Sequence, residues 1–308
     1  MTGAVTVKKI GFIGLGIMGG PMAAHLVAAG HEVTGFNLER AAVDRLIAAG
    51  GKGAESVHEA VRDADVVITM VPADPHVEKV MYGDGGVLGS VKPGTLVIDM
   101  SSIKPSTSIA VAQAGAEHKL RVLDAPVSGG EAGAIEAVLS IMVGGEAADF
   151  AAALPLFEAL GKTIVHVGPH GAGQTVKAAN QLIVAGNIQL VAEALLFLER
   201  AGVDTEAGLT VLAGGLAGST VMDRKGRVMR DRDFKPGFRI DLHHKDMGIV
   251  TESAREFDLV LPLAGLTAQL VASLRAQGGG GLDHSGLLLG LERLNGGPQD
   301  SSSKQGDN

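Results

Sequence analysis

The chain has 308 residues, 46% hydrophobic and 19% charged, with 45 glycines and a formal net charge of -8. That length suggests two domains, and the acidic balance argues against nucleic acid or an anionic membrane surface as a partner. Cysteine and tryptophan are absent and there is one tyrosine, which excludes disulfides and thiolate chemistry, fits a reducing cytoplasm, and leaves few platforms for stacking bases.

In chain order, Lys8–Gly14 is an apolar strand ending in glycine, and Met18–Ala29 has helical spacing. His31–Phe36, Asp65–Met70, Thr95–Asp99, Arg121–Asp124, Leu139–Gly144 and Ile164–Val167 are further runs of buried-strand type. Helical patterns over Arg40–Ala49, Pro75–Met81, Pro105–His118 and Glu146–Leu160 lie between them. Strands alternating with helices predict an α/β domain over residues 1–168, built on a doubly wound, mostly parallel sheet. From 169 to 296 the pattern is all-α, with helices expected at Glu206–Leu216, Asp246–Phe257, Pro262–Gln277 and Ser285–Leu294. Residues 297–308 are polar and expected to fray.

The joint between the two regions is Gly171–Gly202, which runs without proline and closes at a glycine of the C-cap type. Such a helix is roughly 40 Å long. Leu182, Ile183, Val184, Ile188, Leu190, Val191, Leu195, Leu196 and Leu198 fall on all its sides, which predicts burial all round, partly by a second copy in a homodimer or homotetramer. Its Lys, Asn, Gln and Glu side chains suit protein better than lipid. Lys177, Asn180 and Gln181 share one face of its first turns. A lysine there is costly unless something uses it.

Gly14-Leu15-Gly16-Ile17-Met18-Gly19 is G-x-G-x-x-G between a strand and a helix. The first glycine permits the turn, the second lets backbone approach a pyrophosphate, and the third lets helix pack on strand. Phosphate would sit on the helix N-terminus. The same glycines break the apolar run that follows Lys8-Lys9, so a secretion signal is the poorer reading. At the end of the second strand, where NAD sites carry an acidic residue, stands Asn37. Asn37 removes a charge that would repel a 2′-phosphate and Arg40 is able to pair with one, so NADP is favoured, although Glu39 offers an alternative for the NAD ribose.

Val71-Pro72 and Ser101-Ser102 follow strands at carboxyl ends, where ligands bind in such sheets. Ser102 suits the nicotinamide side of a cofactor, and capping of the helix near Pro105 is the competing reading. Ser128-Gly129-Gly130 follows Asp124 and offers a hydroxyl with unhindered backbone N–H groups, suited to a carboxylate or to a plain turn. His243-His244 are adjacent and so face different ways, and Gly168-Pro169 denies His166 and His170 a shared helix. No metal site is indicated.

GFIGLGIMGGPMA, DAPVSGG, GAGQTVKAANQ and FKPGFRIDLHHKD occur in this order, and together they resemble the β-hydroxyacid dehydrogenase family over residues 8 to about 294. The resemblance implies a Rossmann domain joined to an all-helical domain by the long helix. It implies NAD or NADP as cofactor, a small carboxylate semialdehyde or hydroxyacid as substrate, and a cytoplasmic oxidoreductase. It makes Lys177 the catalytic lysine of the family's GxGxxxK, with Asn180 beside it, and Ser128, Gly129 and Gly130 the substrate anchor. Ser102 and Lys245 match cofactor contacts. Many members carry asparagine at the position of Gln181, and glutamine marks the branch to which this chain is most similar. That branch commonly has Asp-Arg where this chain has Asn37-Leu38.

Overall fold

The computed structural model describes residues 7–297; the expected frayed tail beyond Gly297 lies outside the described residues. The chain forms two compact units, Met1–Ala178 and Ala179–Asn308. The division falls inside the long helix, whereas the change of sequence pattern comes at 168/169.

The first unit runs β1 (Lys9–Ile13), α1 (Gly19–Ala28), β2 (Glu32–Phe36), α2 (Arg40–Ala48), β3 (Lys52–Gly53), α3 (Val57–Val61), β4 (Val66–Thr69) and α4 (Asp74–Tyr82). It continues with α5 (Val87–Ser90), β5 (Leu96–Asp99), α6 (Pro105–Glu117), β6 (Arg121–Asp124), β7 (Val127–Ser128), α7 (Gly130–Ile135), β8 (Leu139–Gly145), α8 (Ala147–Glu158) and β9 (Gly161–Gly168). The first turns of α9 (Ala172–Arg200) close it.

The strands form one sheet in the order β3-β2-β1-β4-β5-β6-β8-β7, with β9 on β8. Pairing is parallel from β3 through to β6; β8 then runs antiparallel to β6 and to β7, and β9 is parallel to β8. Alternate residues point to opposite faces. Ile10, Phe12, Ile68, Ile98 and Leu123 build one hydrophobic core, while Ile13, Val67, Val97 and Val122 build another. Both faces are covered, which is why these strands read as continuous apolar runs. The order reverses between β1 and β4, and ligands bind at such a switch point, outside the carboxyl ends of the strands.

The second unit holds the rest of α9, then α10 (Thr205–Ala213), α11 (Thr220–Arg230), α12 (Ile240–Glu256), α13 (Pro262–Leu274) and α14 (Leu287–Leu294). Its core joins Ile188, Val191, Ala192, Leu195 and Leu196 of α9 to Leu209, Met229, Ile240, Val271 and Leu288. By length and composition α9 would also span a membrane, but this packing makes it a core helix.

The expectation that α9 is buried all round fails for the single chain. Ile183, Leu190 and Phe197 are 62%, 61% and 74% exposed, and Val176 continues the same seven-residue spacing. Residues seven apart lie on one side of a helix, so the unit's helices cover one side of α9 and leave an apolar stripe on another. The sequence reading also misses the two-residue strands, the short helices and α11, and it starts α12 six residues late, at Asp246 rather than Ile240.

Candidate active site

The glycine loop sits at the carboxyl end of β1. Gly14 donates its N–H to Phe36 O (3.0 Å), and its φ of 97° lies in the left-handed region. A Cβ on Gly14 would stand 2.2 Å from Met70 O, and one on Gly19 would stand 1.9 Å from Gly14 O. A side chain at either position therefore forces the backbone to shift. A Cβ on Gly16 would meet no protein atom within 4 Å. No side chain caps α1, whose N-cap is Met18. Open space beside Gly16 and an uncapped helix start are what a pyrophosphate requires. Leu15 is buried, with its N–H bound to Asn37 Oδ1 (3.0 Å), and Ile17 is exposed. These residues fit a dinucleotide.

Asn37 thus ties the end of β2 to the glycine loop, a role that its sequence position did not suggest. Arg40 opens α2 and pairs with Asp44 (2.9 Å) and Glu55 (2.5 Å) at the surface. Exposed pairs of this kind are weak and exchange readily for a stronger anion.

Val71 and Pro72 follow β4, and Ser101 and Ser102 follow β5. The two serines separate in role. Ser101 is fully buried and its Oγ accepts the Val71 N–H (3.0 Å), while Ser102 is half-buried. Neither is the N-cap of α6: that position is Lys104, without a side-chain cap, and Asp74 instead accepts from Lys104 N and Thr107 Oγ1. The capping reading of these serines is set aside.

Sequence reasoning passed over Asp124, which organises the next part of the site. Its carboxylate ends β6 and accepts N–H groups from Gly171 (2.8 Å) and Gln174 (3.0 Å), at the start of α9. A negative charge there suits the helix dipole. Gln174 in turn donates to Ser101 O (2.8 Å) and accepts from Ile103 N (3.2 Å). A Cβ on Gly173 would stand 2.4 Å from Met142 O, so only glycine lets the helix start this close to the sheet. Burial raises the Asp124 carboxyl above its usual range, and the backbone N–H groups of Gly171 and Gln174 pull it back. Asp99, its register partner on β5, is also raised by burial and further by Asp124, against hydrogen bonds from Ser101 and Thr69. Its Oδ2 has no hydrogen-bond partner in the described residues. The sequence signal was there: two apolar strands, each ending in aspartate.

Held in this way, α9 carries Lys177, which is 8% exposed and donates from Nζ to Val127 O (2.7 Å). The next residue along β7 is Ser128. Gly129 and Gly130 follow with φ of 138° and 66°, conformations that favour glycine, and a Cβ on Gly130 would meet nothing. The first unit therefore brings the lysine to the serine–glycine turn.

In the second unit Asn180 donates from Nδ2 to Gln181 Oε1 (2.8 Å), and Gln181 donates from Nε2 to Asp246 Oδ2 (2.5 Å). Lys245 Nζ stands 3.0 Å from Asp246 Oδ1. Within this unit Asn180 and Lys245 are thus linked through two residues that sequence reasoning did not assign to the site. A second buried cluster was also missed. Asp283 accepts from Lys225 Nζ (2.9 Å), Ser285 Oγ (2.6 Å) and the N–H groups of Gly237 and Phe238. His284 Nδ1 faces His243 Nδ1 at 3.2 Å. Burial and neighbouring His243 push His284 down to about 3. Burial alone would raise Asp283, but His284, Ser285 and Lys225 outweigh it and hold the carboxyl below its usual range. The cluster pins the loop from Phe234 to Arg239 that leads into α12.

A doubly wound sheet with this glycine loop at its switch point, and a buried lysine beside a serine–glycine turn, defines an NAD(P)-dependent oxidoreductase. A family model for the NAD binding domain of 6-phosphogluconate dehydrogenase matches residues 9–168. Another, described as NAD-binding of NADP-dependent 3-hydroxyisobutyrate dehydrogenase, matches residues 171–290. The chain belongs to the β-hydroxyacid dehydrogenase family.

It is 45% identical over 286 residues to 2-hydroxy-3-oxopropionate reductase of Escherichia coli, covering 93% of this chain and 98% of that one. It is 39% identical over 285 residues to 3-hydroxyisobutyrate dehydrogenase of Pseudomonas aeruginosa, covering 90% and 95%. Among solved structures, Mycobacterium tuberculosis 3-hydroxyisobutyrate dehydrogenase with L-serine is similar at a TM-score of 0.86 and 35% identity, over 93% of this chain and 99% of that chain.

Proposed function

We propose that this enzyme reduces tartronate semialdehyde (2-hydroxy-3-oxopropionate) to glycerate, reversibly and with a preference for NADPH. Hydride is added to the aldehyde carbon and a proton to its oxygen. The reduced nicotinamide supplies the hydride when bound. As negative charge grows on the aldehyde oxygen, a cationic donor stabilises the transition state more than the ground state. Lys177 Nζ has that role and delivers the proton; in the oxidative direction it is the base. Ser128 Oγ and the Gly129 and Gly130 N–H groups bind the carboxylate, and Asn180 holds the substrate hydroxyl. Gly14 to Gly19, Asn37, Arg40, Val71, Pro72, Ser102 and Lys245 hold the cofactor.

The observation that carries this reading is the buried Lys177 ammonium bound to Val127 O, one residue from Ser128. Similarity to the E. coli reductase supports the choice of substrate. The test is a comparison of kcat/KM for tartronate semialdehyde, succinic semialdehyde, 3-hydroxyisobutyrate and L-serine, each with the coenzyme in both phosphorylation states. Tartronate semialdehyde with NADPH is expected to lead. A lead by 3-hydroxyisobutyrate or L-serine would replace the substrate assignment, and no oxidation of NADH or NADPH by either semialdehyde, together with no reduction of NAD or NADP by either hydroxy acid, would replace the enzyme with a dinucleotide sensor. Arg40→Ala is expected to raise KM for NADPH and leave KM for NADH unchanged; equal effects on both would remove Arg40 from phosphate recognition.

We also propose that the enzyme works in the cytoplasm as a homodimer or homotetramer in which a second copy covers the α9 stripe. Each exposed large apolar side chain gains about 1.5–3 kcal/mol on full burial, and aspartate on the stripe forfeits that gain. Leu190→Asp with Phe197→Asp is expected to shift the mass measured by light scattering toward the monomer. A monomeric wild type would defeat this proposal.

A further inference from the structure

We infer that Gln181 and Asp246 form a positioning relay that sets which end of the Asn180 side chain is offered to substrate. This rests on the proposed role of Asn180 as the residue that holds the substrate hydroxyl. An amide side chain has a donor end and an acceptor end of nearly the same shape, so packing alone leaves its orientation open. A carboxylate has no such ambiguity, because when ionised it only accepts.

The polarity of the chain of hydrogen bonds follows from that end. Asp246 is buried, and its Oδ2 takes a hydrogen bond from Gln181 at 2.5 Å. Gln181 must therefore present its NH₂ to Asp246, which turns its Oε1 the other way. That oxygen only accepts, so the Asn180 group facing it at 2.8 Å is Nδ2. Asn180 is left with Oδ1 as the end turned away from Gln181, an acceptor for a hydroxyl proton. Lys245 Nζ stands 3.0 Å from Asp246 Oδ1, on the side of the carboxyl away from Gln181, and Oδ1 makes no hydrogen bond. Gln181 is itself buried, which leaves its side chain little room to turn. The reach also matters: asparagine at 181 would be shorter by one C–C bond of about 1.5 Å, too short to touch both partners.

The discriminating measurement is a double-mutant cycle on kcat/KM with tartronate semialdehyde and NADPH, accompanied by thermal melts and NADPH affinity. Gln181→Met keeps size and helix preference but removes both hydrogen bonds. It is expected to lower kcat/KM by on the order of tenfold, with NADPH affinity unchanged. Asn180→Ala is expected to cost at least as much, and Asn180→Ala with Gln181→Met no more than Asn180→Ala alone, since Gln181 acts through Asn180. Asp246→Asn preserves shape and a hydrogen bond to Gln181 but loses the fixed polarity, so it too is expected to lower kcat/KM without moving the melting temperature; if Gln181→Met fails to fold, Asp246→Asn with Asn180→Ala supplies the cycle. Additive losses would overturn the relay, as would wild-type kcat/KM in Gln181→Met while Asn180→Ala is impaired. Wild-type kcat/KM in Asn180→Ala would overturn the role of Asn180 itself, and the relay with it.

Discussion

Lys177→Ala is expected to lower kcat by a factor on the order of 10² or more, with NADPH affinity kept. Two effects add. In the proposed mechanism the variant loses the proton donor and also the positive charge that faces the oxygen as hydride arrives. The fold tolerates the change because α9 is fastened by other groups: Asp124 on the N–H groups of Gly171 and Gln174, and Gln174 on Ser101 and Ile103. Steady-state kinetics with nicotinamide fluorescence titration separates the two quantities. Wild-type turnover would remove Lys177 from the mechanism, and loss of NADPH affinity together with the melting transition would make it a structural residue.

Two single-methyl substitutions in the glycine loop are expected to fail in opposite ways. In Gly16→Ala the new Cβ meets no protein atom, so the melting temperature should match wild type. The same methyl fills the space assigned to the pyrophosphate, so the dissociation constant for NADPH is expected to rise tenfold or more, about 1.4 kcal/mol. In Gly19→Ala the methyl would stand 1.9 Å from Gly14 O and 3.0 Å from Phe12 Cε1, so α1 must move away from β1. Overpacking of this kind costs about 1–3 kcal/mol, which lowers the melting temperature by several degrees at roughly 2–4 °C per kcal/mol. A Gly16→Ala variant that binds NADPH normally would place the pyrophosphate elsewhere.

The sheet was legible because its strands are buried on both faces and punctuated by glycine and aspartate, and four motifs in order made the family readable. Short elements were not: two-residue strands such as Val127–Ser128 are shorter than any period that a sequence reveals. Helix α11 was missed although Ser219 caps it by accepting the Met222 N–H. Its polar composition, Thr220–Arg230, hid the buried Met222 and Met229. In the site, the named lysine, serine and glycines were legible from motifs. Their supports were not, because the partners are far apart in sequence: Asp124 with Gly171 and Gln174, and Gln181 with Asp246. Asn37 shows the same limit. Its position pointed to coenzyme choice, while the bond it makes holds Leu15 of the glycine loop. The stripe on α9 also shows that apolar residues on every side of a helix do not say what covers each side: Ile183, Leu190 and Phe197 stay exposed in the single chain.

The hydrogen bond from Lys177 to Val127 O has a consequence for which acids the enzyme accepts. In the proposed site the proton donor is held by one residue and the carboxylate by the next, Ser128. Consecutive Cα atoms are about 3.8 Å apart, so both ends of a short acid are read from neighbouring residues of one strand. In that reading the site works as a ruler for the interval between the carboxylate and the reacting carbon, while Asn180 reads the hydroxyl on the carbon between them. Acids with one carbon in that interval fit, those with a hydroxyl on it gain the bond to Asn180, and longer chains are refused for their length.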